Sequence, residues 1–491
     1  MIQLTNSLTG HTESFVPLED KRVKMYVCGP TVYGLLHIGN GRTFMTWDVV
    51  RRYLEKRGYH VTYVQNFTDI DDKIIAKAAE EGITPEAVAE KYTRAYFQDM
   101  DALGVRRADV YPRAVETIPE MIAHIEGLIE AGKAYTVEGD VYYRVKAFPE
   151  YGKLSGRKTE DNESGARVEV DPRKEDPSDF ALWKAAKPGE PAWESPWGPG
   201  RPGWHIECSA MVRKVLGDTI DIHAGGKDLK FPHHENEIAQ SEGLTGHMFV
   251  KYWMHTGFLN MDSEKMSKSL GNIKTTRDVV AHYGQQAVRV FLLSTKYDQD
   301  LDFTDDNVKA AWKGFQRLQK TLTAYEGKTG RSGAPEIQAL AKEADLGFYA
   351  AMDADFNTAR AIAHFNEIAS KMRKLATDRP ELEEGLGAVV EVLQELAADV
   401  LGLDLHYHEE APSALGDEHT ENLRRILGEL GVNGQTAEAG TEALLRVLID
   451  MRADAKAKKD WATADTIRNQ LTGIGIKLVD QKDGTTGWEP A

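Results

Sequence analysis

The fold is decided by a stretch near the amino terminus, Arg22-Val23-Lys24-Met25-Tyr26-Val27, which runs into Cys28-Gly29-Pro30. Its polar and apolar side chains largely alternate, and this pattern predicts a β-strand. A helix is predicted for 39–56, and a second strand for His60-Val61-Thr62-Tyr63-Val64-Gln65. A strand, a helix and a strand form a βαβ unit, so we expect a parallel sheet that binds ligands at the carboxyl ends of its strands.

The 491 residues are too many for one ordinary core, and the sequence changes character several times after this unit. An amphipathic segment at 118–131 and short strands near 140–144 precede a polar stretch rich in glycine and proline at 159–202. A further strand is predicted at 219–223, and the sequence after Tyr283 is mostly helical.

The predicted fold is therefore α/β, with a Rossmann-like, parallel-sheet nucleotide-binding domain split by a connective insertion and followed by mostly helical domains. The expected boundaries are 1–113 and 201–305 for the two halves of the nucleotide-binding domain, 114–200 for the insertion, 306–404 for a helical bundle, 405–440 for a linker and 441–491 for a final module.

The composition is that of a soluble globular protein, with 41% apolar and 28% charged residues. No stretch approaches the roughly 20 apolar residues that cross a bilayer, and the amino terminus lacks a secretory pattern, so we expect no membrane contact and a cytoplasmic location. The net charge of −17 does not exclude nucleic acid, because a local basic face can still bind phosphates.

The first chemical motif is His37-Ile38-Gly39-Asn40, at the entry to the first predicted helix. A helix amino terminus favours phosphate, Gly39 would admit a close backbone approach, and an imidazole and an amide can donate hydrogen bonds. Alone, the tetrapeptide also fits a surface histidine beside a turn. A dinucleotide-binding motif at Gly39-Asn40-Gly41 is disfavoured because Phe44 stands at the position of the third glycine.

The second motif is Lys265-Met266-Ser267-Lys268-Ser269. Two lysines three residues apart on a serine-rich loop can stabilise a polyphosphate whose charge grows as pyrophosphate leaves. An isolated pair would more simply be a solvated basic turn. The combination with the His37 motif, on the far side of a second half-sheet, is what makes the signal specific.

The third constellation uses the only two cysteines, Cys28 and Cys208. Two buried thiols would be the ordinary interpretation. However, His233 and Glu237 are four residues apart on a helix predicted to start at Pro232, so they share one face. Two thiols, an imidazole and a carboxylate are ligands that zinc accepts, although the spacing is not that of a zinc finger. The alternative interpretation is that His233 merely neighbours the helix cap and that Glu237 is a solvated surface residue.

Taken together, these segments closely resemble cysteinyl-tRNA synthetases, and the resemblance extends from about residue 2 to residue 488. The segments that carry it are 25–33, 68–74, 203–211, 231–237 and 265–269. The resemblance implies a class I synthetase, in which a split nucleotide-binding domain is followed by helical domains that reach the anticodon. It makes 441–491 the anticodon-binding domain.

The resemblance also implies roles for individual residues. Zinc ligands fall on Cys28, Cys208, His233 and Glu237, and the cysteine pocket on Cys28, Thr68 and Trp204. ATP contacts fall on His37, Gly39, Asn40, Gly225, Asp228, Lys265, Ser267 and Lys268, of which His37, Asn40, Lys265 and Lys268 are the catalytic candidates. Anticodon contacts fall on Lys456, Asp465 and Asp480.

Three positions depart from the family pattern. Asn40 replaces the second histidine usual in the first motif, although an amide can still donate. Lys456 stands where relatives can have arginine, and an ammonium lacks the fixed fork with which a guanidinium recognises a base edge. An extra Gly487 precedes Trp488.

The implied activity is ATP-dependent conversion of L-cysteine to cysteinyl-adenylate, with Mg²⁺ accompanying ATP, and transfer to the 3′ end of tRNA(Cys). One Zn²⁺ per chain would select the thiol, and the enzyme would be a monomer. Two alternatives stay open: a ligase that passes cysteine to an amino-sugar, and an inactive RNA-binding paralogue. A basic tail favours tRNA over an amino-sugar as the acceptor. The intact His37, Lys265 and Lys268 disfavour an inactive paralogue. The tail residues are Arg446, Arg452, Lys456, Lys458, Lys459 and Trp461.

Overall fold

A computed structural model describes residues 1–157, 171–261, 264–265, 274–407, 417–430, 432, 441–480 and 486–490. The chain divides into two compact units, Met1–Tyr407 and His408–Ala491. Among the helices in these ranges, none combines the length and the apolar character needed to span a membrane.

The described part of the chain contains the following strands: β1 Gln3–Asn6, β2 His11–Ser14, β3 Arg22–Val27, β4 His60–Gln65, β5 Ala134–Val137, β6 Asp140–Tyr143, β7 Phe180–Ala185, β8 Gly200–Pro202, β9 Ile220–Gly226, β10 Val250–Thr256, β11 Leu259–Met261, β12 Glu264–Lys265, β13 Leu301–Phe303, β14 Ile476–Asp480 and β15 Thr486–Pro490.

Its α-helices are α1 Ile38–Lys56, α2 Asp72–Glu81, α3 Pro85–Leu103, α4 Ile118–Glu130, α5 Trp204–Leu216, α6 Glu235–Thr245, α7 Thr276–Tyr283, α8 Gln285–Leu293, α9 Asp305–Thr323, α10 Pro335–Asp353, α11 Thr358–Asp378, α12 Gly387–Leu396, α13 Asp417–Glu429, α14 Thr441–Ala457 and α15 Trp461–Gly473.

Four parallel strands form the central sheet in the order β10-β9-β3-β4. The predicted βαβ unit is confirmed, because β3 pairs in parallel with β4 and α1 connects them. The strand predicted at 219–223 is also present, but it continues to Gly226, which pairs with Thr256. It extends further because Ala224, Gly225 and Gly226 are small enough to keep the parallel pairing at the crowded carboxyl edge.

The two faces of the sheet pack into different hydrophobic cores. Along β3, Val23, Met25 and Val27 belong to one core, and Tyr26 and Cys28 belong to the other. This is the two-residue period of a strand that is covered on both faces. The first cysteine therefore lies at the end of a strand, on the face opposite Val27.

The first core continues from the sheet into α9, α10, α11 and α12 without a break, from Ile2 to Leu405. The range 306–404 contains α9 to α12, and it lies in the same compact unit as the sheet.

The residues between the two halves of the sheet contain α4 and an antiparallel sheet in the order β5-β6-β7-β8. Tyr143 of β6 and Phe180 of β7 stack with ring centroids 5.0 Å apart. Both residues belong to the second core, together with Cys28 and Cys208. The insertion therefore shares its packing with the region around the two cysteines.

A short antiparallel hairpin, β1 and β2, is fixed by residues that are far away in sequence. The amide and the hydroxyl of Thr5 donate to the Asp355 carboxylate at 2.9 and 2.6 Å. The side-chain amide of Asn6 donates to the Lys251 carbonyl at 3.1 Å. Asp355 also accepts from the Tyr297 hydroxyl at 2.9 Å, so a single buried carboxylate joins three segments of the unit.

The second unit builds α13, α14, α15 and the hairpin β14–β15 around its own apolar core, in which Leu423, Leu444, Ile467 and Ile476 are buried. Helix α13 lies inside 405–440, the range that the sequence assigns to a linker. Its leucine and isoleucine side chains recur at helical spacing, and this periodicity outweighs the polar average of the stretch.

Candidate metal centre and active site

The two cysteines, 180 positions apart in sequence, meet in the structure. Cys28 follows β3 directly, and Cys208 lies in the second turn of α5. Their Sγ atoms are 3.7 Å apart, both thiols are free, and both side chains are buried.

His233 and Glu237 complete the cluster from the segment that leads into α6. Phe231 is extended (φ −142, ψ 135), and the chain turns into the helix from the following proline. His233 Nε2 lies 3.1 Å from Glu237 Oε1, and the Cys28 thiol donates to the same oxygen at 3.5 Å. One ligand atom from each of the four residues lies within 4.8 Å of all the others, so the predicted set is brought together.

The spacing of these donors suits a tetrahedral metal ion. Zinc–thiolate bonds of about 2.3 Å at tetrahedral angles place two sulfurs about 3.8 Å apart. The observed Sγ···Sγ distance of 3.7 Å agrees with this value. Two sulfurs, one imidazole nitrogen and one carboxylate oxygen are also a donor set that zinc prefers over calcium or magnesium. The residues therefore fit a zinc ion.

Burial and neighbouring groups shift the pKa values of the four donors in different directions. A hydrogen bond from Cys28 lowers the pKa of Cys208, while burial raises the pKa of Cys28. Burial alone would raise the pKa of Glu237, but His223 and His233 lower it to about 2. Burial lowers the pKa of His233, but Glu237 and Cys208 outweigh it and raise that pKa to about 10. These shifts favour a Glu237 carboxylate beside a protonated His233, so binding of a divalent cation would have to release protons from His233 and Cys28.

Further histidines, which the sequence reasoning missed, surround the four donors. His223 Nε2 lies 2.8 Å from Glu237 Oε2, and His205 Nδ1 lies 3.2 Å from His233 Nδ1. His234 Nε2 lies 3.3 Å from Cys28 Sγ, and its Nδ1 lies 2.8 Å from His255 Nε2. Ligating carboxylates and imidazoles usually have such hydrogen-bonding partners, which fix their orientation.

A second set of close donors, Cys28, His223, His234 and Glu237, overlaps the first. It lacks the second thiol, and its His223 is already hydrogen-bonded to the outer oxygen of Glu237. We therefore interpret His223 and His234 as supporting residues. The sequence signal for His223, as for His255, is a histidine among the mostly buried residues of a strand, β9 or β10. The signal for His234 is its place beside His233.

The two other residues predicted for the cysteine pocket lie next to this cluster. Trp204 is 36% exposed and stacks on His233, with ring centroids 4.2 Å apart. Thr68 follows β4, and its amide donates to the Pro30 carbonyl at 3.2 Å, close to Cys28. The Thr68 hydroxyl donates to buried Glu207 at 2.7 Å. The Trp204 indole, the Thr68 hydroxyl and the cluster of four donor residues therefore lie together at the carboxyl edge of the sheet.

The first ATP motif caps α1. His37 is the residue before the helix, and its Nδ1 accepts the Asn40 amide at 3.2 Å. The amino terminus of α1 lies at the same sheet edge, because Thr43 in its second turn reaches the Thr256 hydroxyl at the end of β10, 3.0 Å away. Gly39, in the first turn, is half-buried.

Gly225 and Asp228 flank the end of β9. A Cβ on Gly225 would lie 3.0 Å from side-chain atoms of His234 and Leu229, so a larger residue would have to displace one of them. Asp228 is exposed in the turn that follows. Lys265 pairs with Asn260 through the strands β12 and β11, whereas Ser267 and Lys268 lie outside the described residues.

The three predicted anticodon contacts occupy the second unit. Lys456 is half-buried near the end of α14, and Asp465, in α15, pairs with Arg468 at 3.1 Å. The backbone of Asp480 pairs with Thr486 at the end of β14, and its side chain lies outside the described residues.

Comparisons with known proteins cover both parts of the first unit. The family model described as tRNA synthetases class I (C) catalytic domain matches residues 14–313, and the DALR domain model matches residues 347–406. Among solved structures, methionyl-tRNA synthetase of Mycobacterium tuberculosis in complex with methionyl-adenylate is similar, with a TM-score of 0.59 at 17% identity, covering 78% of this chain and 92% of that chain. At this identity the likeness shows the fold alone, which is that of class I synthetases.

Curated relatives match almost the whole chain. The cysteine–tRNA ligase of Desulfitobacterium hafniense is 47% identical, covering 98% of this chain and 98% of the relative. Those of Pelotomaculum thermopropionicum and Gloeobacter violaceus are each 48% identical, covering 98% and 100% of this chain and 99% of each relative. With its split parallel sheet, its buried thiol cluster and this full-length identity, the chain belongs to the cysteine–tRNA ligase family of class I aminoacyl-tRNA synthetases.

Proposed function

We propose that this chain is a cysteine–tRNA ligase that activates L-cysteine with ATP and transfers it to the 3′ end of tRNA(Cys). The observation that carries the proposal is the buried set Cys28, Cys208, His233 and Glu237, at the ligand edge of a class I sheet. It occurs in a chain that is 47–48% identical to named cysteine–tRNA ligases over nearly its full length.

The site residues have complementary roles in this proposal. The amino terminus of α1 faces the phosphates with its backbone amides, and His37 and Asn40 lie in its first turn. Gly225 gives the nucleotide a close approach to β9, and Asp228 and Ser267 add polar contacts. Lys265 and Lys268 offset the charge that develops as diphosphate leaves. Mg²⁺ would accompany the ATP phosphates.

The reaction has two displacements. The cysteine carboxylate attacks the α-phosphate of ATP, the bond to the β-phosphate breaks, and diphosphate takes the electron pair. A hydroxyl of the terminal adenosine of tRNA then attacks the activated carbonyl and releases AMP. The enzyme contributes mainly by holding the reactants in line, which removes much of the entropic barrier.

Cys28, Cys208, His233 and Glu237 would hold one zinc ion per chain. When bound, zinc would supply a soft ligand site that favours a thiolate over the hydroxyl of serine. Trp204 and Thr68 would close the pocket around the rest of the amino acid. An apolar pocket alone discriminates such similar substrates only weakly.

Selectivity should therefore follow metal content. In Glu237→Ala protein we expect lower zinc content, together with a smaller ratio of cysteine to serine activation. Pyrophosphate exchange with each amino acid, measured beside metal analysis, checks this. A metal-depleted enzyme that still rejects serine as strongly would show that pocket shape is the selector.

The second unit supports tRNA as the acceptor over an amino-sugar. A ligase for a small sugar has no need of a unit such as His408–Ala491, and the named relatives match across that part of the chain. We further propose that Lys456, Asp465 and Asp480 read the anticodon and that the enzyme acts as a monomer in the cytoplasm.

The deciding experiment has two arms with purified protein. Cysteine-dependent exchange of pyrophosphate into ATP tests activation, and cysteine attachment to tRNA(Cys) transcript tests transfer. Exchange without charging would favour a different acceptor, and the absence of both would refute the assignment.

A further inference from the structure

A buried arginine in α1 ties the end of the helix that bears His37 to two other segments. Arg42 is 1% exposed and lies five positions after His37. Its Nη1 donates to the Phe258 carbonyl at 2.8 Å and to the Gly257 carbonyl at 3.1 Å, and its Nη2 donates to the Gln299 carbonyl at 2.6 Å.

The three carbonyls belong to residues just before β11 and β13. These strands run in parallel, and the Leu301 amide donates to the Phe258 carbonyl at 2.9 Å. The two backbones approach so closely that a Cβ on Gly257 would lie 2.3 Å from the Gln299 oxygen. Arg42 therefore fixes the point where both strands begin.

Strand β11 is the partner of the strand that carries Lys265. Asn260 of β11 pairs with Lys265 of β12. On the downstream side, the Ile38 amide donates to the Lys274 carbonyl at 3.0 Å, and the Thr276 amide donates to the Leu36 carbonyl at 2.8 Å. The start of α1 thus has backbone bonds to one flank of the lysine motif, and Arg42 supplies the link to the other flank.

We propose that Arg42 is a positioning residue for adenylate formation: it holds β11, and with it the Lys265 backbone, in register with the phosphate-facing end of α1. The inference rests on the proposed function. Catalysis by placed charges is sensitive to distance, since a displacement of about 1 Å can cost about 10²-fold in rate. A guanidinium can donate to several carbonyls at once in a fixed fork, which a lysine ammonium cannot reproduce.

The chain contains a matched arginine for comparison. Arg289 in α8 is also fully buried, and it donates to the carbonyls of Leu103 at 2.7 Å and Leu401 at 2.5 Å. It thus makes the same kind of bond as Arg42, but its acceptors lie at the end of α3 and just after α12. Loss of either guanidinium should destabilise the fold by a similar mechanism.

The test compares Arg42→Lys with Arg289→Lys in the full-length protein. For Arg42→Lys we expect kcat of cysteine-dependent pyrophosphate exchange to fall by about 10–100-fold, with little change in KM for cysteine. For Arg289→Lys we expect a comparable loss in Tm with kcat near that of the unaltered protein. Equal loss of kcat in both variants at equal loss of Tm would overturn the proposal, as would a change confined to KM.

Two further measurements keep the proposal testable if Arg42→Lys folds poorly. Gly257→Ala leaves the guanidinium in place but pushes Gln299 away, so it should reproduce the fall in kcat. Amide hydrogen exchange in 257–261 and 297–303 should be faster in Arg42→Lys and unchanged in Arg289→Lys. An unchanged rate of amide hydrogen exchange in Arg42→Lys, or full pyrophosphate-exchange activity in Gly257→Ala, refutes the positioning role. If the unaltered protein shows no cysteine-dependent pyrophosphate exchange, the proposed function is refuted instead. The hydrogen-exchange comparison then still decides whether Arg42 anchors β11.

Discussion

The metal-ligand cluster and the candidate anticodon contacts differ most in their exposure to solvent. Cys28, Cys208, His233 and Glu237 are each at most 4% exposed, whereas the Asp465 side chain is 58% exposed. A site that holds a metal and orders a small amino acid must exclude water, because its charges act strongly only in a dry environment. A site that reads bases has to present its side chains to a large partner. The first kind of site is therefore built by the fold, and the second is carried on its surface.

The largest effect on cysteine activation is expected from removing a metal ligand. In Cys208→Ala protein we expect loss of bound zinc on dialysis and no measurable cysteine activation, because one of four ligands is gone and a carboxylate and an imidazole stay buried beside the gap. Metal analysis and pyrophosphate exchange measure this. Val212→Ala, at a buried position of α5 that is not one of the four donors, is the control, and zinc content like that of the unaltered protein in the Cys208 variant would contradict the ligand assignment.

The next largest effect should come from the lysine motif. Lys268→Ala should lower kcat of pyrophosphate exchange by about 10²–10³-fold with little change in cysteine binding, because the charge it offsets develops only in the transition state. Single-turnover formation of cysteinyl-adenylate is the measurement. Lys274→Ala, an exposed lysine just beyond the motif, should behave like the unaltered protein. Near-normal exchange in the Lys268 variant would remove that residue from the mechanism.

A smaller effect is expected from the histidine behind Glu237. Replacing His223 by alanine removes its contact with Glu237 Oε2 and should weaken metal affinity by about 10–100-fold. His223→Gln, which can still donate a hydrogen bond, should recover part of that loss. Competition with a chelator measures the affinity of each variant. Equal affinities in the unaltered and alanine proteins would make His223 only a packing residue.

Removing the second unit should have the smallest effect on activation. A chain that ends at Tyr407 should activate cysteine at the unaltered rate but charge tRNA(Cys) poorly, because the first unit has its own core and the basic helices are gone. A cut before Thr441 would instead leave α13 without the leucines of α14 that cover it. Unchanged charging by the shortened chain would show that tRNA recognition lies in the first unit.

The fold and one pair of residues in the candidate metal cluster were predictable because their signals are local. Strand alternation at 22–27 and the four-residue spacing of His233 and Glu237 depend only on neighbouring residues. The pairing of Cys28 with Cys208 required donor chemistry as well, since nothing in their separation brings them together. The contact between the two cysteines was therefore predicted from the donor chemistry of a rare residue type and not from sequence spacing.

The supporting residues were less predictable for a physical reason. His223 and His255 sit in strands whose neighbours are apolar, and a buried histidine has the same signal whether it supports a ligand or merely satisfies a hydrogen bond. Helix α13 was hidden by the polar average of its surroundings. The bonds of Arg42 to carbonyls leave no trace in the sequence, because a backbone acceptor can belong to any residue.

The hairpin β1–β2 also constrains the order of events during synthesis. Thr5 leaves the ribosome 350 residues before its acceptor Asp355 is made. At roughly 5–20 residues per second, the hairpin waits tens of seconds for its partner. Through this interval the backbone groups of β1 and the Thr5 side chain lack their final partners, so the first unit can close only when nearly all of it has been translated.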